Sequence, residues 1–312
     1  MRTAIITDSN SGIFEEEGRE RGIYIVPMPV IIEGKTYYEG LRLSQHGRPC
    51  GPPGDRLSMT EVYYEGTDLT HEEFYQMMSE RKEIFSSQPS PYEVMEVWDK
   101  AFMDGYETVV YIPMSSGISG SCQTAAALAG DYGGRVYVAD NHRISVTQRF
   151  SVLEAKAMAE KGCGAKEIKE ALEKAAYESL IYVGVETLEH LKRSGRVTPA
   201  GAAIGTVLNI KPLLVIEGER LDAFAKVRGT KKCKERLLIQ MKESADRLRE
   251  GGAQIHIGAA GSFVEPEEHT EWLEMVQEMF PGEEICYDPL TISIGCHVGA
   301  GAFGMGISRR MY

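Results

Sequence analysis

The chain has 312 residues, 43% of them hydrophobic and 26% charged, an ordinary globular balance with room for two domains and a sizeable core. Its 46 acidic against 34 basic residues leave a formal net charge of −12, a surface that repels phosphate backbones and argues against a nucleic-acid partner. No run reaches the roughly 20 apolar residues of a membrane helix, so stable membrane insertion is not expected. The early run Ala4-Ile5-Ile6 is too short for a signal-peptide core, which makes the cytoplasm the expected compartment. Six cysteines form no C-x-x-C pair and have no His at finger spacing, so free thiols are expected and zinc is not.

In chain order, residues 3–6 predict a strand and residues 23–32 one or two more. Strands are also predicted at 83–85, 108–114 and 135–139, with helices at 71–81, 91–102, 120–129 and 145–161 between them. Strands alternating with helices of this length imply a parallel sheet covered by helices. The second half opens with a helix at 165–178, a strand at 180–185 and a short helix at 186–192. A small-residue helix at 199–207 is followed by two strands, 212–217 and 220–225, joined at Gly218-Glu219. Helices at 231–250 and 265–279 then alternate with strands at 254–259 and 284–290. The hairpin and mixed order suggest a separate α/β domain, with residues 1–176 forming the first domain and 177–312 the second. One repeat interrupts the pattern: Tyr37-Tyr38-Glu39-Gly40 recurs as Tyr63-Tyr64-Glu65-Gly66 around a Pro/Gly-rich stretch. Residues 41–66 therefore read as an insertion, either disordered or a lid or partner loop.

Four junctions are rich in hydroxyls and glycine. They are Thr7-Asp8-Ser9-Asn10-Ser11-Gly12, Ser86-Ser87-Gln88-Pro89-Ser90-Pro91, Ser115-Ser116-Gly117-Ile118-Ser119-Gly120-Ser121 and Gly295-Cys296-His297-Val298-Gly299-Ala300-Gly301. At the second, Ser90 and Glu93 have capping-box spacing, with Pro91 at the first helical position. A helix N-terminus offers unpaired N–H groups and partial positive charge, and Ser adds rotatable donors, so such turns suit an anion. Each Ser is equally explained as a helix cap, His297 as a packed or surface histidine, and Arg196 as a solvated charge. There is no G-x-x-x-x-G-K-[ST], no G-x-G-x-x-G after the first strand, and no paired carboxylate motif for magnesium. A hydroxyl-rich cradle with few cations fits a carboxylate better than a polyphosphate. Gly117-Ile118-Ser119-Gly120-Ser121 is a near miss for the nucleophile elbow G-x-S-x-G. A serine esterase using Ser119 and His297, with Asp288 in chain order between them, is the alternative.

Six motifs stand in register: Thr7-Asp8-Ser9; Ser87-Gln88-Pro89-Ser90; the turn from Ser115 to Ser121; Leu191-Lys192-Arg193-Ser194-Gly195-Arg196; Asn209-Ile210-Lys211-Pro212; and His297-Val298-Gly299-Ala300-Gly301. In these the chain resembles the DegV family over nearly its whole length, apart from the insertion. The resemblance implies two α/β domains, the first with a mainly parallel sheet flanked by helices and the second with a mixed sheet and helices. The ligand would lie in the cleft between them. It implies a long-chain fatty acid as ligand, no cofactor, no metal and no catalysis by this chain. The bound acid would be presented to a separate fatty-acid kinase subunit, which makes acyl phosphate for phospholipid synthesis. By motif, Ser86, Ser87, Ser115, Ser116 and Ser119 would bind the carboxylate, with Arg196 and His297 close by. Arg228 matches an arginine used for kinase docking, at the start of a basic run through Lys231, Lys232, Lys234 and Arg236. Ser86 stands where the family usually has Thr. Asn141-His142 and Cys122 also depart from the family pattern.

Overall fold

The computed structural model describes residues 2–38, 63–64, 69, 71–203 and 210–311. The first sheet begins with β1 (Thr3–Asp8), where Ile5 and Ile6 point to opposite faces and both are buried. Burial on both faces is what a central parallel strand requires. After α1 (Glu15–Arg21), β2 (Ile23–Val26) pairs parallel with β1. The chain then builds a small separate sheet from β3 (Pro29–Ile32), β4 (Lys35–Tyr38), β5 (Tyr63–Tyr64) and, after α2 (His71–Ser79), β6 (Ile84–Ser86). The repeated Tyr pairs lie side by side there, Tyr37 against Tyr63 and Tyr38 against Tyr64. The rest of the insertion lies outside the described residues.

Following α3 (Pro91–Met103), β7 (Thr108–Ile112), α4 (Ser121–Ala129) and β8 (Val136–Val138) complete the parallel sheet in the order β2-β1-β7-β8. The start of α3 carries the expected capping box: Glu93 N–H donates to Ser90 Oγ at 3.3 Å, and Ser90 N–H donates to Glu93 Oε2 at 2.6 Å. One face of the sheet is covered by α3 and α4 through Val94, Trp98 and Ala125. The other is covered by α5 (Ser145–Glu160) and α6 (Ala165–Lys174) through Val152, Ala155 and Ile168.

The second sheet starts at β9 (Ser179–Gly184). After α7 (Glu189–Ser194) and α8 (Pro199–Ala202) come β10 (Ile210–Ile216), β11 (Asp222–Arg228), α9 (Thr230–Leu248), β12 (Ile255–Gly261), α10 (Pro266–Met279), β13 (Ile285–Pro289), α11 (Ile292–Val298) and β14 (Phe303–Arg309). Its order is β11-β10-β9-β14-β12-β13, with β12–β13 as the parallel pair and the other neighbours antiparallel. Leu213 turns to the face covered by α9 and α10, with Leu237 and Trp272, whereas Leu214 turns to the opposite face. Both sheets are therefore α/β layers, one parallel and one mixed.

Helix α5 joins the layers. Gly258 of β12 and Gly306 of β14 are register partners, and they form a dimple that receives Val146. A Cβ on Gly258 would stand 2.7 Å from Val146 Cβ, and one on Gly306 would stand 2.7 Å from Val146 Cγ2. Gln148 Nε2 donates to Asp8 Oδ1 of the parallel sheet at 3.0 Å, while Ser145 Oγ donates to Asp288 Oδ2 of the mixed sheet at 3.0 Å. Burial pushes both carboxyls up to about 6.

Three features differ from the sequence expectation. The glycine-rich stretch at 295–301 is not a plain turn, because its first half completes α11. All but one of that helix's seven residues are buried, and packing on this scale overrides the low helix propensity of Gly295. Strand β14 was hidden by Gly304 and Gly306, whose low strand propensity masks the alternation of Phe303, Met305 and Ile307. The small-residue helix is seen as Pro199–Ala202; residues 204–209, including Asn209 of the family motif, lie outside the described residues.

Gly306→Val is expected to lower stability by about 1–3 kcal/mol through overpacking against Val146. Urea unfolding measures it; a loss within experimental scatter would show that α5 does not seat tightly on this sheet.

Candidate functional site

The loops after all four parallel strands open onto one cavity, as is usual for ligands of open α/β sheets. Asn10 follows β1, Met28 follows β2, Met114 and Ile118 to Gly120 follow β7, and Ile144 to Val146 follow β8. The opposite wall is the face of the second sheet carrying Ile181, Val183, Ile216 and Ala260, and α11 closes one side with Ile294, His297 and Val298. Its empty space, open solvent at the mouth included, is about 1130 Å³.

Five of the residues singled out from sequence line this cavity: Ser86, Ser87, Ser119, Arg196 and His297. The small sheet packs on α11 through Val30, Ile32, Ile292 and Cys296, and this brings the end of β6 to the end of α11. Ser86 Oγ lies 2.7 Å from His297 Nε2 as a result. Ser87, exposed, has its Oγ on the Gln88 carbonyl at 3.1 Å. Arg196 follows the Gly195 cap of α7 and donates from Nη1 to the Ser194 carbonyl. Ser119 Oγ accepts from the Ser121 N–H at 3.2 Å at the start of α4.

Ser115 and Ser116 are placed differently, outside the cavity lining. Ser115 is fully buried, and its Oγ donates to the Gly218 carbonyl at 2.5 Å. Its own carbonyl accepts from Ile118 and Ser119, so it closes the turn and ties it to the hairpin between β10 and β11. Ser116 N–H donates to Asp140 Oδ1 at 3.2 Å. Between them and Ser119, Gly117 meets that hairpin, where a Cβ would stand 2.8 Å from Glu219 Cα. Arg228 stands exposed at the end of β11, away from the cavity lining. The residues not foreseen are the apolar ones, together with Ser145 and Ser293. Asn10 belonged to a junction marked in the sequence, but not as a site residue.

Electrically, the mouth is positive within an acidic chain. Burial holds the His297 imidazole down to about 4, and the positive charges of Arg196 and Arg193 beside it act the same way. The ring is therefore neutral at pH 7, offering one donor and one acceptor nitrogen. Its Nδ1 is buried without a hydrogen-bond partner. A serine-esterase triad has no geometric support: Nε2 bonds Ser86, no carboxylate orients Nδ1, and Asp288 bonds Ser145. Among the described residues no group of three or more His, Cys, Asp or Glu side chains could hold a metal ion. The five described cysteines are free thiols. No helix among the described residues is long and apolar enough to cross a membrane.

A family model described as "Uncharacterised protein, DegV family" matches residues 57–310. The chain belongs to the DegV family. A DegV domain-containing protein of Listeria innocua is 29% identical over 307 residues, 97% of each chain. One from Deinococcus radiodurans is 31% identical over 82% of this chain and 81% of its own. Among solved structures, a DegV family protein of Thermus thermophilus, described as fatty-acid binding, is 28% identical with a TM-score of 0.81, covering 99% of this chain and 100% of that one. DegV of Bacillus subtilis, described as a fatty acid binding protein, is 25% identical with a TM-score of 0.78, again covering 99% and 100%. DegV-family membership and the α/β layering agree with the reading from motifs.

In NMR titration, free His297 is expected to stay neutral down to about pH 4, and a carboxylate bound beside it to raise that value. Titration of the free ring near its ordinary 6.5 would contradict the buried, positively flanked site.

Proposed function

We propose that this chain binds a long-chain fatty acid, with the carboxylate at the mouth formed by Ser86, Ser87, Ser119, Arg196 and His297 and the acyl chain in the apolar remainder of the cavity. The observation that carries this reading is the division of the lining. Cationic Arg196 and neutral His297 stand with hydroxyls at the mouth, while Met28, Val183, Ile216, Leu290 and Met305 supply the rest of the wall. Each buried CH₂ contributes ~0.8 kcal/mol, so a long chain binds tightly with few polar contacts. Arginine adds a charge-assisted bond to the carboxylate. The solved relatives described as fatty-acid binding support the ligand class. In this reading Ser115 and Ser116 act through the shape of their turn, and the two halves, divided near residue 176, supply the two walls.

The chain would act without catalysis, in the cytoplasm, presenting the acid to a separate fatty-acid kinase. Exposed Lys226, Arg228, Lys231 and Lys232 form a basic strip on an acidic protein, a surface suited to a docking partner of opposite charge. The contacts of Ser119 and His297 described above favour this binding role over esterase chemistry.

Native mass spectrometry of purified protein is expected to show a co-purified fatty acid, or uptake of palmitate after delipidation; neither appearing would overturn the ligand. Arg196→Ala should weaken palmitate binding roughly tenfold or more, as loss of a charge-assisted bond does. In a coupled assay with fatty-acid kinase and ATP, Arg228→Ala should slow acyl-phosphate formation without changing palmitate affinity. Equal rates would remove Arg228 from the docking surface.

A further inference from the structure

The mixed-sheet wall of the cavity changes in depth from strand to strand. Its mouth end is fixed at the β10–β11 side of the sheet. There the Leu221 N–H donates to the Arg196 carbonyl at 3.0 Å, and Ser115, which closes the Ser119 turn, donates to the Gly218 carbonyl. From that side the order β10-β9-β14-β12-β13 leads away from the mouth. Val183 of β9, Gly304 of β14 and Ala260 of β12 are register partners, and all three line the cavity. Leu290, just past β13, lines it beyond Ala260, its N–H donating to the Gly261 carbonyl at 3.0 Å.

The neighbouring register row is closed. Gly258 and Gly306 are partners there, and Val146 fills the places of both missing side chains. At Gly304 nothing does. A Cβ there would have as its nearest neighbours the Tyr182 carbonyl oxygen at 3.0 Å and Val183 Cβ at 3.6 Å, both within the same sheet. The bare backbone of β14 therefore faces open cavity at Gly304 and packed side chain at Gly306. What remains is a trough crossing the strands, floored by Val183, Gly304 and Ala260. With strands ~4.8 Å apart, Ala260 lies about 14 Å across the sheet from β10, a distance that an extended palmitoyl chain reaches. Ala260 offers one methyl there, and buried Leu290 stands behind it.

We propose that Ala260 and Leu290 set the length of acyl chain that this site accepts: the chain crosses β14 over Gly304, passes Ala260 and stops against Leu290. This rests on the fatty-acid reading above. The test is calorimetric titration of the delipidated full chain with the saturated acids from decanoate to stearate. Affinity is expected to rise roughly fourfold per methylene up to a break, beyond which added methylenes gain nothing. Ala260→Leu puts a larger side chain into open cavity and should move the break to shorter acids, lowering the palmitate-to-decanoate affinity ratio roughly tenfold or more, as two excluded methylenes would. Leu290→Ala, measured independently, should move it towards stearate. A merely structural role for either residue would weaken all lengths alike and leave the break in place. An unmoved break in whichever variants fold would overturn this inference while leaving the fatty-acid reading intact. Failure of every acid to bind the wild-type chain would overturn both.

Discussion

The seating of Val146 on Gly258 and Gly306 sets the relation between the two sheets. Helix α5 follows the last strand of the parallel sheet, yet its first turn rests on the mixed sheet. Neither contact could move far without the other, because packed interiors transmit strain rather than absorb it. Two buried acids hold the same turn, Asp8 through Gln148 and Asp288 through Ser145. The cavity is the space left beside this junction. Its walls come from both sheets, and its polar mouth is assembled where the small sheet carries Ser86 to His297.

That arrangement separates two physical tasks. The apolar walls supply binding free energy in proportion to the area they remove from water, without direction. The mouth supplies direction. Burial, with the charges of Arg196 and Arg193 beside it, keeps the His297 imidazole neutral, so the positive charge available to an anion sits on guanidinium groups, which stay charged at every relevant pH. An acidic chain with a locally basic mouth suits a single anionic head better than an extended polyanion.

Much of the fold was legible in the sequence because its elements are locally consistent. The runs around Ile5, Val110 and Tyr182, and the capping box at Ser90, each signal the element that forms. Elements that depend on long-range packing were not legible. Helix α11 and strand β14 contain glycines that argue against regular structure locally, and their partners are distant in sequence. The site divides in the same way. Hydroxyl-rich turns mark themselves, but the same motif holds Ser115, turned into the protein, and Ser119, turned to the cavity. Which hydroxyl faces the cavity depends on the hairpin carbonyl at Gly218, and nothing near Ser115 encodes that. The apolar lining is drawn from Met28 to Met305, and only the folded chain gathers it.

A crystal structure of the delipidated protein soaked with palmitate tests the central claim most directly. The carboxylate is expected within hydrogen-bond distance of Ser86, Arg196 or His297, with the chain lying against Met28, Val183 and Ile294. A reversed chain with its carboxylate buried away from these residues, or palmitate bound outside this cavity, would contradict it.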